Sequence, residues 1–169
     1  MESEEIVLCA PTRENYVFTG WTFEGQTEPQ LTVTVPAGSC GSRVMTANWA
    51  VDYNAAVMVT AGGIVVQATE FGKTLSVIEI PAARNGTAAR KIERQAFSGC
   101  EELTIVVIPA SVTEIGETAF GGCTALTDIL YPGTVAQWQA ITKGNDWDGN
   151  TGAYTVHCTD GDLNKTETA

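Results

Sequence analysis

The sequence predicts a mainly β chain with short helices: a small β-rich module followed by a capped solenoid. Three observations predict it. A block of 23 residues occurs twice in tandem, so that Phe97, Cys100, Leu103 and Pro109 recur as Phe120, Cys123, Leu126 and Pro132, each 23 positions further on. A strand pattern L-x-x-L-x-L, with large apolar residues at the L positions, occurs at 75–80, 103–108 and 126–131. Ahead of the repeats, short apolar runs alternate with turns rich in Gly and Pro. A fixed period of this size means that each unit cannot bury its own apolar face and must stack on the next. Such scaffolds display surfaces, so the pattern points to recognition by a surface.

The repeat phase carries Leu, Ala and Phe, which makes the solenoid a leucine-rich one. Residues 5–50 come first and read as the small β-rich module. Ile6-Val7-Leu8 is a short strand, and Tyr16 to Phe23 is an aromatic strand containing Gly20. Leu31-Thr32-Val33-Thr34-Val35 alternates apolar and polar, the period of a half-buried strand. Pro36-Ala37-Gly38 and Cys40-Gly41-Ser42 are turn chemistry, and Arg43 to Trp49 is a last strand. Tyr16, Phe18, Trp21 and Trp49 are expected to supply most of a core that so short a module can build.

Residues 51–161 hold the solenoid, with 51–74 as its N-terminal cap, 75–132 as repeats and 133–161 as its C-terminal cap. Residues 57–68 read as a hairpin turning near Gly62-Gly63, which covers the first coil. The first interval between repeat strands is five residues longer than the second, and the surplus falls around the turn dipeptide Asn85-Gly86. Phe97 and Phe120 are expected to stack as a ladder, with Ala96 and Ala119 small beside them and Ile92 and Ile115 as a second column. Thr134 is a good N-cap for a short helix whose Val135, Trp138 and Ile141 share one face. Tyr154 to Cys158 adds a final strand, and 162–169 is expected to be a polar, frayed tail.

Two resemblances follow from these residues. Pro11-Thr12-Arg13-x-x-Tyr16-x-Phe18-x-Gly20-Trp21, followed by Ala47-Asn48-Trp49, resembles the internalin B-repeat family over residues 5–50. That resemblance implies a small β-grasp-like fold serving as a stalk or interaction module in bacterial surface proteins, with no catalytic residues to carry over. The pattern I-x-x-x-A-F-x-G-C-x-x-L-x-x-[IV]-x-[IY]-P, intact at Ala96–Cys100 and Ala119–Cys123, resembles the BspA-type leucine-rich repeat. That family is common in bacterial surface proteins, and the stretch 131–161 is similar to the terminal cap seen after such repeats. Together they imply a cell-surface or secreted protein mediating adhesion or protein–protein contact. The expected partner is a host or neighbouring-cell surface protein, or a glycan.

Composition sets limits on partners. The chain has 169 residues and a net charge of −11, with only 9 basic side chains against 20 acidic ones. Such a surface repels a phosphate backbone, so nucleic acid is not expected, and an anionic membrane is disfavoured likewise. Residues 101–169 carry 2 basic and 10 acidic side chains, while Arg84, Arg90, Lys91 and Arg94 form the one basic strip. No run of about 18 apolar residues spans a membrane. The acidic start, Met1-Glu2-Ser3-Glu4-Glu5, lacks the apolar segment of a signal peptide. It reads as the start of a cytoplasmic protein or as an internal piece of an exported chain, and the resemblances favour the second.

Chemistry finds little foothold, and the chain is expected to be no enzyme, with no catalytic residues, no metal site and no cofactor. There is one histidine, His157, and its neighbour Cys158 points to the opposite face of a strand. Five cysteines lack any CxxC pair. Cys100 and Cys123 share a repeat phase and are expected to be free, buried thiols, although a disulfide between adjacent coils is geometrically conceivable. Asp146, Asp148 and Asn150 open like a calcium loop, but Thr151 stands where the loop glycine belongs and His157 where the bidentate Glu belongs, so a polar turn is expected. The candidate binding residues are the outward x positions of the repeat strands: Val77, Glu79, Ile105, Val107, Asp128 and Leu130, beside a polar row of Ser76, Thr104 and Thr127. An exposed apolar patch of this kind marks a protein contact, or is covered by another part of the chain. For the glycan alternative, Trp147 and Tyr154 are the expected stacking platforms.

Overall fold

In a computed structural model, residues 6–35, 37–39 and 41–165 are described. The turn assignments at Pro36 and Cys40, and the tail beyond 165, lie outside the described residues. Contacts divide the chain into residues 1–52 and 53–169.

The first unit is built from β1 (Ile6–Val7), β2 (Tyr16–Phe23), β3 (Thr34–Val35) and β4 (Met45–Val51). β1 pairs antiparallel with β3, and β2 with β4. β-Branched and aromatic residues dominate β2, as a pleated, half-buried strand favours. Its other edge takes the loop: Trp21 N donates to Gln30 O at 2.8 Å and Gln30 N to Trp21 O at 2.9 Å. Gly20 permits this approach, since its φ is 135° and a Cβ there would lie 2.8 Å from Gln30 N. Phe18 meets Trp21 and Trp49 edge-on, with ring centres 5.4 and 5.7 Å apart. The four expected core aromatics are half-buried, and Val33 is the buried hydrophobic residue among the described residues of this unit. The strand expected over 31–35 shrinks to Thr34–Val35, and Leu31 is exposed. The reason is that Gln30 pairs with Trp21 while Val33 O accepts from Leu8 N, so no single partner strand runs the whole length.

The second unit opens with α1 (Tyr53–Ala56) and the hairpin β5 (Val57–Val59) and β6 (Ile64–Ala68). A single 3₁₀ turn leads to β7 (Val77–Glu79). A second hairpin follows, β8 (Ala83–Arg84) and β9 (Thr87–Ala88). Its turn residues Asn85 and Gly86 have φ of 50° and 79°, both in the left-handed region that a tight hairpin requires. This hairpin holds the surplus of the long repeat interval. Then come β10 (Lys91–Ile92), β11 (Ile105–Val107), β12 (Glu114–Ile115), β13 (Asp128–Leu130) and α2 (Val135–Gln139). β14 (Thr142–Lys143), β15 (Thr155–Cys158) and β16 (Gly161–Asn164) close the chain.

These strands make two five-stranded sheets, β5-β6-β10-β12-β14 and β7-β11-β13-β15-β16. Within each, four strands are parallel and one end strand is antiparallel: β5 covers the first sheet at its N-terminal side and β16 covers the second at its C-terminal side. The register is the sequence period itself. Ile92 faces Ile115, and Val106 faces Ile129, each pair 23 positions apart. The fold is therefore a mainly β solenoid with few short helices, making three turns from β6 to β14.

Stacking supplies the core. The Phe97 and Phe120 rings lie 5.0 Å apart at 6°, and both are fully buried. Backbone bonds run alongside: Phe97 N donates to Ala119 O at 2.7 Å, and Phe120 N to Trp147 O at 2.8 Å. Gly116 lets neighbouring coils touch, for a Cβ there would lie 2.5 Å from Arg94 N. Gln95, Thr118 and Asp146 repeat one left-handed conformation, with φ of 58°, 50° and 53°, at the same turn of successive coils.

Three expectations change. Each coil contributes two strands, because Ile92 and Ile115 lie in β10 and β12 of a second sheet. The stack continues past 132: β14 and β15 extend both parallel sheets as a further coil, as Thr142 and Thr155 pair in register with Glu114 and Asp128. The expected tail is structured to Lys165, since β16 folds back on β15 and buries Leu163. α2 starts at Thr134 with a full capping box, its hydroxyl accepting from Gln137 N while Gln137 Oε1 accepts from Thr134 N. Trp138 from this helix is fully buried against Tyr131 and Trp147.

Replacing Phe97 or Phe120 with Ala is expected to cost about 3–5 kcal/mol, from lost burial plus a cavity the rigid coils cannot close. Thermal or urea unfolding checks it, and near-unchanged midpoints for both variants contradict the ladder.

Candidate functional site

In the β7-β11-β13-β15-β16 sheet, alternation sorts the side chains. Ile78, Val106, Ile129 and Val156 point inward and are fully buried. The residues between them face outward in two registered rows. One row is Val77, Ile105, Asp128, Thr155 and Asn164; the other is Glu79, Val107, Leu130, His157 and Asp162. All six sequence-predicted binding residues thus share one face. Val77, Ile105 and Val107 are half-buried by their neighbours, and Leu130 is 39% exposed. The polar row beside them is structural: Thr104 Oγ1 donates to Ser76 O at 2.8 Å, and Thr127 Oγ1 to Thr104 O at 3.2 Å.

His157 joins three strands at the end of this face. Its Nε2 lies 2.8 Å from Asp128 Oδ1 on β13, and its Nδ1 lies 3.1 Å from Asp162 Oδ1 on β16. Asp128 Oδ2 also accepts from Thr127 Oγ1 at 2.7 Å. A neutral imidazole has a single N–H, so only the imidazolium donates to both carboxylates at once. The hydrogen bond to Asp128 chiefly, and the Asp162 contact after it, raise the His157 pKa above its ordinary value. The Thr127 hydroxyl first, and His157 second, hold Asp128 below the usual carboxylate range. The sequence placed His157 on a strand but missed both partners. The Asp160-Gly161 dipeptide carried the signal, because a tight turn there sets Asp162 opposite His157.

The other candidates have structural roles. Trp147 and Tyr154 are 5% and 3% exposed, which removes the sugar-stacking platforms. Trp147 packs edge-on against Phe120 and Trp138, and the Tyr154 hydroxyl donates to Asp148 Oδ2 at 2.7 Å. Both had read as exposed because the coil they close was read as a polar turn. Asp146 and Asn150 hold left-handed backbone there, φ 53° and 55°, a conformation Asn and Asp tolerate. The Lys165 ammonium takes the oxygens of that loop, donating to Thr151 Oγ1 at 2.7 Å and Thr151 O at 3.3 Å. Among the described residues no group of three or more His, Cys, Asp and Glu is placed to hold a metal ion. Cys100 and Cys123 are free and buried, and burial pushes the Cys123 thiol up to about 12. In the basic strip, Lys91 pairs with Glu114 at 2.8 Å and Arg94 with Glu117 at 3.9 Å. Among the described residues no helix is long and apolar enough to cross a membrane.

Comparison with known proteins agrees with the repeat reading. Residues 67–141 match the family model described as BspA type leucine rich repeat region. None of the curated proteins matches the chain. Among solved structures, the T. pallidum leucine rich repeat protein matches at 24% identity with a TM-score of 0.38, over 56% of this chain and 54% of that one. The match thus spans about half of that protein. Leucine-rich repeats generally mediate protein–protein interaction. The segment at 67–141, which holds all three L-x-x-L-x-L strands, is therefore similar to the BspA-type leucine-rich repeats.

His157 is the sole histidine, so its ring protons report one titration by NMR. Their midpoint is expected above the ordinary value of about 6.5 and is expected to fall towards it in Asp128→Asn. A raised folded-state pKa means that the stabilisation is complete below the unfolded value and is lost as pH rises through the folded one. A midpoint at or below about 6.5 contradicts the paired geometry.

Proposed function

We propose that this chain is a non-catalytic protein-binding segment of a bacterial cell-surface or secreted protein. On this reading the outer face of the β7-β11-β13-β15-β16 sheet meets a protein on a host or neighbouring cell. Residues 5–50 serve as an internalin-B-repeat-like stalk module, on the strength of the Tyr16-x-Phe18-x-Gly20-Trp21 and Ala47-Asn48-Trp49 motifs. The observation that carries the reading is the apolar group Val77, Ile105, Val107 and Leu130, turned outward on a sheet whose inner face is already fully packed. A contiguous apolar patch turned outward often marks a contact with another protein. The match of 67–141 to a repeat family that generally binds proteins supports it.

Val107→Ser with Leu130→Ser is expected to leave cooperative unfolding intact and to reduce adhesion of the purified chain to cultured cells several-fold. Unfolding of the double variant contradicts the reading, since the row would then be core; so does unchanged adhesion. Protease treatment of intact producing cells is expected to release peptides of this chain. Peptides released only after lysis contradict the surface location.

A further inference from the structure

We propose that the outer sheet face takes an extended protein segment bearing Lys or Arg at both ends and apolar side chains between, one cation replacing His157 at Asp128 and Asp162. The proposal rests on the reading of this face as a protein contact and names the partner's chemistry.

Charge decides the sign. The face carries three carboxylates, Glu79, Asp128 and Asp162, and His157 as its one cation. Even as an imidazolium, His157 leaves the face net negative. Glu79 makes no salt bridge among the described residues. An apolar surface docked on Val107 and Leu130 would take the neighbouring carboxylates out of water with too little positive charge to meet them, which is unfavourable. A segment with its own cations supplies the missing charge, and an arginine fork can meet two carboxylate oxygens together.

Register sets the spacing. Glu79 and His157 lie in one row, with Val107 and Leu130 between them. They are three strand intervals apart, about 14 Å at about 4.8 Å per interval. An extended chain covers that in about four residues at about 3.3 Å each. The cations of the partner therefore lie about four positions apart, and an apolar side chain between them faces Val107 and Leu130.

The same geometry fixes a pH dependence. Asp128 on β13 and Asp162 on β16 face the imidazole. Cys158 on β15 alternates to the opposite face, Asp160 is held by the Val135 amide at 2.7 Å, and α2 has no charged side chain. As pH rises, His157 loses its charge and the two carboxylates lose their internal cation. A basic segment then binds more tightly.

The test selects a random-peptide display library on the immobilised full chain at about pH 8, above the ordinary histidine pKa. Affinities of the enriched peptides are then measured by fluorescence polarisation. Enriched sequences are expected to carry Lys or Arg about four residues apart around apolar residues. Asp128→Asn and Asp162→Asn are each expected to weaken binding about fivefold, with the fold intact. Affinity is expected to rise several-fold between about pH 5.5 and about pH 8 in the native chain and to stay flat in His157→Gln. Peptides lost in the Val107→Ser, Leu130→Ser variant but lacking basic residues, or indifferent to the two Asn variants, overturn this proposal and leave the face as a contact. Peptides indifferent to the Val107→Ser, Leu130→Ser variant overturn the contact reading itself. A library that yields no enriched peptide overturns the proposal of a peptide-like partner.

Discussion

Phe97 and Phe120 lie face to face at 5.0 Å, and both rings are fully buried between adjacent coils. This mutual burial is what the rest of the unit depends on. A coil of 23 residues holds too few side chains to enclose an interior, so each inner face is completed by the next coil. The backbone follows: the ladder bonds from Phe97 N to Ala119 O and from Phe120 N to Trp147 O hold the coils in the same register as the rings. Once the inward positions are fixed, strand alternation fixes the outward ones. Val107 and Leu130 face solvent because Val106 and Ile129 face the core.

The ends of the stack show the same constraint. Parallel strands leave open edges and open core at both ends. The first sheet is covered at its N-terminal side by antiparallel β5, and the second at its C-terminal side by antiparallel β16. In the last coil Trp147 packs edge-on against Phe120, and Trp138 of α2 packs in turn on Trp147. Lys165 fastens the final segment to the loop oxygens of Thr151. His157 belongs to this closure as well, since it ties β13, β15 and β16 together on the outer face. A group that serves the cap is thus also the cation of the candidate binding surface.

Much of this was legible in the sequence. Period and phase located the Phe ladder and the six outward residues, because a repeat states its own register, while turn and capping chemistry located the hairpin at Gly62-Gly63 and the cap at Thr134. The last coil was hidden. Its turn uses Asp146 and Asn150 where earlier coils use Gln95 and Gly99, and its inward ring is Trp147 at the phase of Ala119, so the stretch read as a polar turn. Trp147 and Tyr154 were misread as exposed for the same reason. The second sheet was hidden because two-residue strands such as Lys91–Ile92 carry no alternation to read. His157 and Asp162 meet only through the tertiary pairing of β15 with β16. In the first unit the alternation of 31–35 promised one strand, but Gln30 and Val33 bond to different partners, which local pattern does not encode.

The central claim is that the coils of the second unit are stable only together. Native-state hydrogen exchange on the full chain measures this directly. The amides of Val106, Ile115, Phe120 and Ile129 are expected to open in one event, with a common free energy equal to that of global unfolding of the unit. Separate opening free energies, one for each coil and independent of its neighbours, would contradict it.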